Sequence, residues 1–373
     1  MITFLSVFPP YRGGIAKFSD YLYKHLTKTE TVKAYNFSKL YPPVLFPGKS
    51  QKLDVEIERY AEPILHSYNP FNWNLTARKI AADKPEFVIY SFWHPFFVPC
   101  LYQTLKHIKK KNPEIRLVGV AHNILPHENF PFGQVLSKKL FDLTDHLILL
   151  SQQTEQEFHE LHPNTEYTKL FHPVYEQPYP PAGRKELRKK YGVAERDHVL
   201  LFFGLVRKYK GLDLLIEALN QIDLESLHIK PFVVGEFYTN KQDLLNKIHP
   251  SKMDQYTIID RFISEEEVSE IFTLSDLMVL PYKTASQSGV LSNAINFQLP
   301  VLVSNLPGLT EHIDTGETGL IFKTENPTAL RDQILDFVQK DMHDKISNNL
   351  SSLKGALSWE IFTNELLKIL KNI

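Results

Sequence analysis

The sequence predicts an α/β fold made of two successive doubly wound domains, each built on a parallel sheet. In the first half of the chain, short apolar runs alternate with amphipathic ones, and the alternation starts again in the second half. Alternating strands and helices are typical of parallel sheets. A polar, proline-rich segment, 173–192, separates the halves and is predicted to be an interdomain hinge. The length of 373 residues also exceeds what one hydrophobic core usually supports.

The predicted elements follow one another in order. In the first half, apolar strands are each followed by an amphipathic helix, with strands at 2–8, 87–92, 117–121 and 146–150 and helices at 15–26, 98–108, 133–143 and 152–161. The segment 35–74 has many Pro, Tyr and Phe residues and little periodicity, which predicts a functional loop region. In the second half the strands are 198–204, 230–236, 256–262, 277–282 and 300–304, and the helices are 212–222, 241–248, 264–275, a helix after Gly289, 327–340 and 359–373. We expect one domain over 1–175 together with the last helix, 358–373, and a second over 176–357.

Composition argues against several classes of protein. The formal net charge of -1 gives no basic excess, so nucleic acid is not an expected partner. The single cysteine, Cys100, lies in an apolar run, which indicates a packing residue and leaves no partner for a disulfide. The apolar N-terminus is short, lacks a basic lead and meets two prolines, so we expect a buried strand rather than a signal peptide. No run approaches the ~20 apolar residues of a membrane span. We therefore expect a cytoplasmic protein, soluble or peripheral on a membrane.

Candidate chemistry lies where strands end, because ligands of open parallel sheets bind beyond the carboxyl ends of the strands. Gly13-Gly14 follows the first strand and opens a helix, so its N–H groups could meet an anion, or the pair could serve only tight packing. His122 is the first polar residue after strand 117–121 and is either a ligand contact or structural. His127 and Glu128 raise the question of a metal, but the spacing of the two histidines has no helical match, and no metal site is expected.

Two further strand ends lie in the second half. Gly204 ends a strand and is followed by a basic turn that contains Arg207, Lys208 and Lys210. This turn predicts a diphosphate-binding site, with a turn whose cations are only solvated as the alternative. The loop of Ser286, Gln287, Ser288 and Gly289 opens a helix and predicts an anion cradle, with an ordinary serine N-cap as the alternative. The missing GxGxxG and GxxxxGK patterns disfavour dinucleotide and P-loop sites.

These blocks also carry a family resemblance. The runs "FFGLVRKYKGLDLLIEAL", "VVGEFY", "LMVLPYKTASQSGV", "LPVLVSNLPGLTEHIDTGETGLIF" and "SWEIF", with "PPYRGGIAKFSDYL", "FWHPFFVP" and "AHNILPHE" in the first half, resemble glycosyltransferase family 4. The resemblance implies the GT-B fold: two Rossmann-like domains that face each other across a cleft, with the last helix, which carries Trp359, crossing back to the first domain. It implies a metal-independent, retaining transfer of a sugar from a nucleotide diphosphate sugar to an acceptor hydroxyl, without a cofactor.

The resemblance also assigns roles to residues. It implies that His122 lies over the transferred sugar, that Gly13-Gly14 approaches the diphosphate and that Lys210 binds phosphate, with Arg207 replacing the arginine that the family has at Leu205. The expected catalytic residues are His122, Arg207 and Lys210. The expected donor contacts are Gly13, Gly14, Gly204, Ser286, Gln287, Ser288, Gly289, Val290, Asn293 and Phe262, and the expected acceptor contacts are Arg12, Trp93 and His94.

Departures from the family concern the donor. Ala285 and Asn293 stand where the family commonly has two glutamates. Backbone amides of the 286–289 loop must then carry more of the donor contact, and Asn293 is a neutral, weaker acceptor for a ribose hydroxyl than a carboxylate. The chain has no Asp-x-Asp, which agrees with cations rather than a metal stabilising the leaving diphosphate.

The acceptor and the rival functions have weaker signals. The aromatic run around Trp93 and His94 could stack on a saccharide or a prenyl lipid, or belong to the core. The basic run 106–112 could meet anionic lipid headgroups or be a solvated face. We expect a nucleotide sugar and a saccharide or lipid-linked acceptor as partners, in cell-surface polysaccharide or glycoconjugate synthesis, with peripheral contact at the inner face of the cytoplasmic membrane. The alternatives are a GT-B nucleotide-sugar epimerase, a noncatalytic nucleotide-sugar-binding protein and, disfavoured by the missing glycine fingerprint, a nicotinamide-dependent dehydrogenase.

Overall fold

The structure is a computed structural model that describes residues 1–42, 50–52, 60–125, 130–161, 163–285 and 288–373. The chain folds into two compact units. Unit 1 comprises Met1–His172 and Trp359–Ile373, and unit 2 comprises Pro173–Ser358. Each unit carries its own parallel sheet.

Unit 1 is a parallel sheet with helices on both faces. Its strands are β1 (Ile2–Leu5), β2 (Val32–Lys39), β3 (Glu62–His66), β4 (Phe87–Phe92), β5 (Arg116–Ala121), β6 (His146–Leu149) and β7 (Glu166–Lys169). Its helices are α1 (Gly14–Leu26), α2 (Pro70–Ala82), α3 (Val98–Lys111), α4 (Gly133–Phe141), α5 (Gln152–Leu161) and α14 (Trp359–Asn372). The strand order is β3-β2-β1-β4-β5-β6-β7, and β1 pairs in parallel with both β2 and β4. The chain therefore changes direction across the sheet between β1 and β4.

The central strands of unit 1 are buried on both faces. Every residue of β1 and β4 is buried, which explains why these strands appear in the sequence as continuous apolar runs. Right-handed crossovers place α1 on one face of the sheet and the helices α2 to α5 on the other. The observed contacts agree, since α1 packs against α14, and α3 packs against α2 and α4.

The last helix, α14, belongs to unit 1, as predicted. The side chain of Trp359 is fully buried. Its ring lies 5.0 Å from the ring of Phe18, is stacked on Tyr21 at 5.6 Å and is stacked on His25 at 5.8 Å. Aromatic packing on α1 thus fixes the C-terminal segment to the first sheet.

Unit 2 repeats the architecture. Its strands are β8 (His198–Phe203), β9 (Ile229–Val234), β10 (Thr257–Ile259), β11 (Leu277–Leu280), β12 (Val301–Ser304) and β13 (Leu320–Phe322), in the order β10-β9-β8-β11-β12-β13. Its helices are α6 (Arg184–Lys190), α7 (Leu212–Asn220), α8 (Lys241–Leu245), α9 (Glu265–Leu274), α10 (Gly289–Asn296), α11 (Pro307–Thr310), α12 (Pro327–Gln339) and α13 (His343–Ala356). The direction of the chain reverses between β8 and β11, which is where a doubly wound sheet binds ligands.

The predicted two-domain α/β fold is confirmed, but some elements differ from the prediction. The segment 35–74 is not a loop throughout, because it contains most of β2, all of β3 and the first turn of α2. These strands lie towards the sheet edge, where only part of each strand is buried, so their apolar pattern is weak. Helix α6 lies within the predicted hinge, and α13 was missed because only Ile346 and Leu350 of its residues are buried.

No helix in the described part of the chain is both long and apolar enough to cross a membrane.

Candidate functional site

In unit 2, Lys210 lies at the carboxyl end of the central strand β8. A Cβ placed on Gly204 would lie 2.7 Å from the Lys210 Nζ and 3.6 Å from Val290 Cγ2. Gly204 also has φ +103°, a conformation that other residues adopt only with strain. The backbone conformation therefore favours glycine here, and its lack of a side chain leaves room for the Lys210 amine. We call Gly204, Lys210, Tyr282, Ser288 and Val290 the strand-end cluster.

The Lys210 ammonium is in an electrostatically costly position. The residue is 7% exposed, and burial lowers its pKa, with a further lowering from the nearby Arg207 cation and an opposing effect from Tyr209. Its Nζ lies 5.5 Å from the centre of the Tyr282 ring, a cation–π contact. No ion pair of Lys210 with a carboxylate occurs among the described residues. An anionic ligand would supply the missing countercharge.

The turn that carries Lys210 is fixed by close backbone packing. Arg207 precedes a short 3₁₀ turn, Lys208–Lys210, and Gly211 then opens α7. A Cβ on Gly211 would lie 1.9 Å from the Pro281 carbonyl oxygen, so only glycine allows the start of α7 to pack against the chain after β11. The Arg207 guanidinium is half-buried and lies 5.3 Å from the ring centre of Tyr238. Both predicted phosphate-binding cations are thus at the carboxyl edge of the sheet.

The N-terminus of α10 completes the strand-end cluster. The Ser288 Oγ accepts a hydrogen bond from the Leu291 N–H at 3.3 Å. Ser288 therefore caps the helix, as the simpler interpretation of the loop had it. The N–H groups of Gly289 and Val290 donate no hydrogen bond to any described residue. A negatively charged group can meet these amides and the positive end of the helix dipole. Ser286 and Gln287, which were predicted to share this role, lie outside the described residues.

Two other predicted donor residues lie at different distances from the strand-end cluster. Asn293 is half-buried and lies one turn after Gly289, on the same side of α10. Its Oδ1 atom is buried and has no hydrogen-bond partner in the described part of the chain. Phe262 follows the edge strand β10, and its side chain is 51% exposed. The structure thus brings Asn293 to the helix of the cluster and places Phe262 two strands away from β8.

In unit 1, His122 lies directly after β5. Its backbone N–H donates a hydrogen bond to the Phe92 carbonyl oxygen at 2.8 Å. Its ring contacts the Phe18 ring edge-on, with 4.6 Å between the ring centres. The residue is buried, and burial lowers the pKa of the imidazole to about 3, with a further lowering from the nearby His172. The imidazole is therefore neutral at neutral pH. Because Phe18 is on α1, His122 lies beside the helix that begins at Gly14.

The predicted glycine pair is exposed at the start of α1. Gly13 has φ +115°, which explains a glycine at that position. Gly14 has no such conformation, and no described atom would lie within 4 Å of a Cβ at either residue. Neither packing nor backbone strain therefore accounts for Gly14. The first turn of α1 also has no acidic side chain and no side-chain cap.

The predicted acceptor residues have structural contacts. Arg12 donates to the Ser50 carbonyl at 3.4 Å. The half-buried Trp93 packs 4.4 Å from Phe97, ring centre to ring centre, and joins the aromatic residues that extend the core of unit 1. The His94 Nδ1 accepts the Phe96 N–H at 3.1 Å and caps the turn that follows β4. These contacts position all three side chains near strand ends, and none of them assigns an acceptor.

Sequence reasoning missed the aromatic residues that line these sites. Tyr282 and Tyr175 were not singled out, although Tyr282 is the last residue of a predicted apolar strand. Tyr175 lies 3.4 Å from where a Cβ on Gly289 would be. Only the tertiary contacts reveal these roles. Within the described residues, no group of three or more His, Cys, Asp or Glu side chains could hold a metal ion. His127 and Glu128, about which the metal question arose, lie outside them.

Comparisons with known proteins bear on the activity. Residues 183–352 match the family model described as glycosyl transferases group 1. The chain is similar to N-acetyl-alpha-D-glucosaminyl L-malate synthase of Bacillus anthracis, with 24% identity over 89% of this chain and 83% of that protein. It is also similar to the lipopolysaccharide glucosyltransferase WaaG of Escherichia coli, with 29% identity over 55% of this chain and 54% of that protein.

Solved structures resemble the fold of the whole chain. HepE from Anabaena, in complex with UDP and glucose, superposes with a TM-score of 0.74 at 14% identity and covers 100% of both chains. The structure of WaaG superposes with a TM-score of 0.66 at 17% identity over 99% of both chains. The family model and the two curated relatives favour sugar transfer over the epimerase, the noncatalytic binding protein and the dehydrogenase. The chain is therefore a glycosyltransferase with two parallel-sheet domains of the GT-B kind, and its residues 183–352 match the group 1 model.

Proposed function

We propose that this enzyme transfers a sugar, with retention of anomeric configuration, from a nucleotide diphosphate sugar to a hydroxyl of a saccharide or lipid-linked saccharide, as family 4 glycosyltransferases do. The observation that carries the proposal is the buried Lys210 ammonium, which has no carboxylate partner among the described residues and rests on Gly204 beside the start of α10. A site of this kind is suited to a diphosphate.

The strand-end cluster of unit 2 is suited to stabilising the departing diphosphate. Breaking the bond from the anomeric carbon to the phosphate oxygen leaves negative charge on the departing diphosphate. The Lys210 ammonium, the Arg207 guanidinium and the N–H groups of Gly289 and Val290, which donate to no described residue, are already in place before this charge develops, so they stabilise it without reorganisation. We propose that this arrangement replaces a divalent metal and that no cofactor takes part.

Unit 1 supplies groups suited to the sugar and the acceptor. A neutral, buried imidazole at His122 can exchange hydrogen bonds with a sugar hydroxyl without attracting the diphosphate. The exposed Gly13-Gly14 turn lets a ligand approach the backbone at the start of α1. We propose that acceptor contacts come from Arg12, Trp93 and His94.

The names of two relatives suggest a donor and a process. WaaG is a lipopolysaccharide glucosyltransferase, and HepE was solved with UDP and glucose. We therefore propose a UDP-sugar as the first donor to test and cell-surface glycoconjugate synthesis as the process. The reaction would take place in the cytoplasm, at the inner face of the membrane.

A thermal-shift panel with UDP, GDP, dTDP, ADP and CMP tests the donor proposal. A nucleotide at a hundred times its Kd stabilises the folded state by about 2.7 kcal/mol, a shift that is easily measured. We expect one nucleoside diphosphate to give this shift and Lys210→Met to raise its Kd at least tenfold. The control Lys189→Met, at an exposed position of α6, should leave the Kd unchanged. Product analysis in EDTA then tests transfer. A strict requirement for a divalent cation would overturn the metal-independent mechanism.

A further inference from the structure

The helices α2, α3 and α4 form one cationic face of unit 1. They lie side by side on the sheet, since α3 packs against both of the others. Within these three described helices there are eight Lys and Arg residues and no Asp or Glu: Arg78, Lys79, Lys106, Lys109, Lys110, Lys111, Lys138 and Lys139. The whole chain has 42 basic and 43 acidic residues, so this helical face departs strongly from the average surface.

Helix stability does not explain this composition. Cations in the last turn of a helix interact favourably with its dipole, and all three helices have them. The same dipole favours acidic residues in the first turn, and none of the three helices has one there. The dipole would therefore produce helices with charges of both signs, whereas these three helices carry only positive charges.

Only part of this charge is neutralised within the protein. Lys79 pairs with Glu62, Lys109 pairs with Asp145 at 2.7 Å, and Lys138 pairs with Asp142 at 3.4 Å.

The remaining cations face solvent. The Nζ atoms of Lys106 and Lys139 lie 5.7 Å and 4.9 Å from the ring centre of Tyr102, which joins α3 to α4 on the outer surface. Arg78 and Lys110 are exposed and form no ion pair with any residue that the structure describes.

Large apolar side chains are exposed at one end of the helical face. Phe71 and Leu75 on α2 are 88% and 61% exposed, and Phe132 and Val135 at the start of α4 are 80% and 67% exposed. Each of these helices follows a strand, so these four residues, the apolar rim, lie towards the carboxyl edge of the sheet. Along α2, Phe71, Leu75 and Lys79 recur every fourth residue and form one exposed stripe that is apolar first and cationic later.

We propose that the helical face binds an anionic phospholipid surface, with the apolar rim inserted at the interface and the lysines at the headgroups. Cations combined with exposed aromatic and aliphatic side chains are what such surfaces attract. A nucleic acid would match the cations and leave the apolar rim in water.

Membrane binding through this face has a consequence for the acceptor, which rests on the proposed function. The carboxyl edge of the unit 1 sheet also carries Gly13-Gly14 and His122. Membrane contact through the apolar rim brings that edge close to the bilayer, so the acceptor hydroxyl belongs to a lipid-linked saccharide rather than to a free sugar.

Sedimentation of the full chain with vesicles tests the proposal. We expect binding to phosphatidylcholine vesicles that contain phosphatidylglycerol, and loss of binding when phosphatidylglycerol is omitted or salt is raised. In the triple variant Lys106→Glu, Lys110→Glu, Lys139→Glu, the loss of each lysine should lower the partition coefficient about fivefold. The three losses together should lower it at least ~100-fold. The matched control carries Lys28→Glu, Lys368→Glu and Lys371→Glu, all at exposed positions on the side of α1 and α14, and should bind as the wild type does.

A second variant tests the apolar rim separately. Phe71→Ser with Phe132→Ser should weaken vesicle binding about tenfold or more and leave its salt dependence intact. Binding that this variant retains in full would overturn insertion and indicate a purely electrostatic surface for another polyanion. Equal losses in the two charge variants, or no binding by the wild type, would overturn the proposal altogether. Nucleotide binding, measured without vesicles, reports folding in every variant, and its absence from the wild type would count against the proposed function alone.

Discussion

Substituting Gly14 by alanine should change stability and activity in opposite directions. Gly14 is the first residue of α1, its backbone conformation suits alanine, and no described atom would lie within 4 Å of the new Cβ. Alanine reduces the conformational entropy of the unfolded chain, so we expect a gain of about 0.4–1 kcal/mol in the free energy of unfolding. For a unit of this size that is an increase of about 1–4 °C in Tm.

The same methyl group should hinder the substrate. If the diphosphate or the sugar approaches the backbone at this turn, an added methyl in a filled site costs about 1–3 kcal/mol. That cost corresponds to a fall of roughly 5- to 150-fold in kcat/KM. Gly355→Ala is the matched control, because Gly355 also lies in a helix, α13, with nothing within 4 Å of its Cβ.

The assay combines thermal unfolding with initial rates of sugar transfer. We expect both variants to unfold at a higher temperature than the wild type and only Gly14→Ala to lose activity. Full activity in Gly14→Ala would refute the idea that the glycine turn contacts the substrate. A lower Tm would refute the conclusion that the backbone conformation and the space at Gly14 suit alanine.

Three further predictions concern unit 2. Because burial lowers the pKa of Lys210, nucleotide affinity measured by calorimetry should fall with rising pH before an ordinary lysine would lose its proton, and an affinity that stays constant to pH 10 would contradict this. Asp276→Ala should lower stability by about 3–5 kcal/mol in urea unfolding, since it leaves the partly buried Arg184 and a second arginine without their carboxylate, and a loss under 1 kcal/mol would show that the network relaxes. The Arg261 guanidinium lowers the pKa of Glu267 to about 2, so this carboxylate stabilises the fold above pH 4.5 and progressively less as pH falls towards 2. Glu267→Gln should therefore be less stable than the wild type at pH 7 and equal to it near pH 2, whereas a constant difference would exclude the ion pair as the cause.

Much of the fold could be predicted because its central strands are buried on both faces. Such strands are expected to be nearly continuous apolar runs, and β4 and β8 have sequences of this kind. Edge strands lack this constraint. In β7 no residue is fully buried, and the strand was missed, as were β3 and the largely exposed α13. The signal failed where burial was incomplete.

The candidate site was predictable in part for a similar reason. Glycine and basic residues directly after apolar strands are visible in the sequence, so Gly204 and Lys210 could be named before any contact was known. Which cation is buried, and against what, was not visible. The rings of Tyr282 and Phe18 reach Lys210 and His122 from distant parts of the chain.

The sequence by itself determined the order of strands and helices, the positions of the strand ends and the residue types found there, because these follow from local periodicity and burial. The tertiary structure alone decided which side chains share an environment. Burial, which depends on neighbours far away in the chain, makes the imidazole of His122 neutral and the charge of Lys210 costly. Likewise, three helices that are separated along the chain and contain no acidic residue form one face only because the sheet places them side by side.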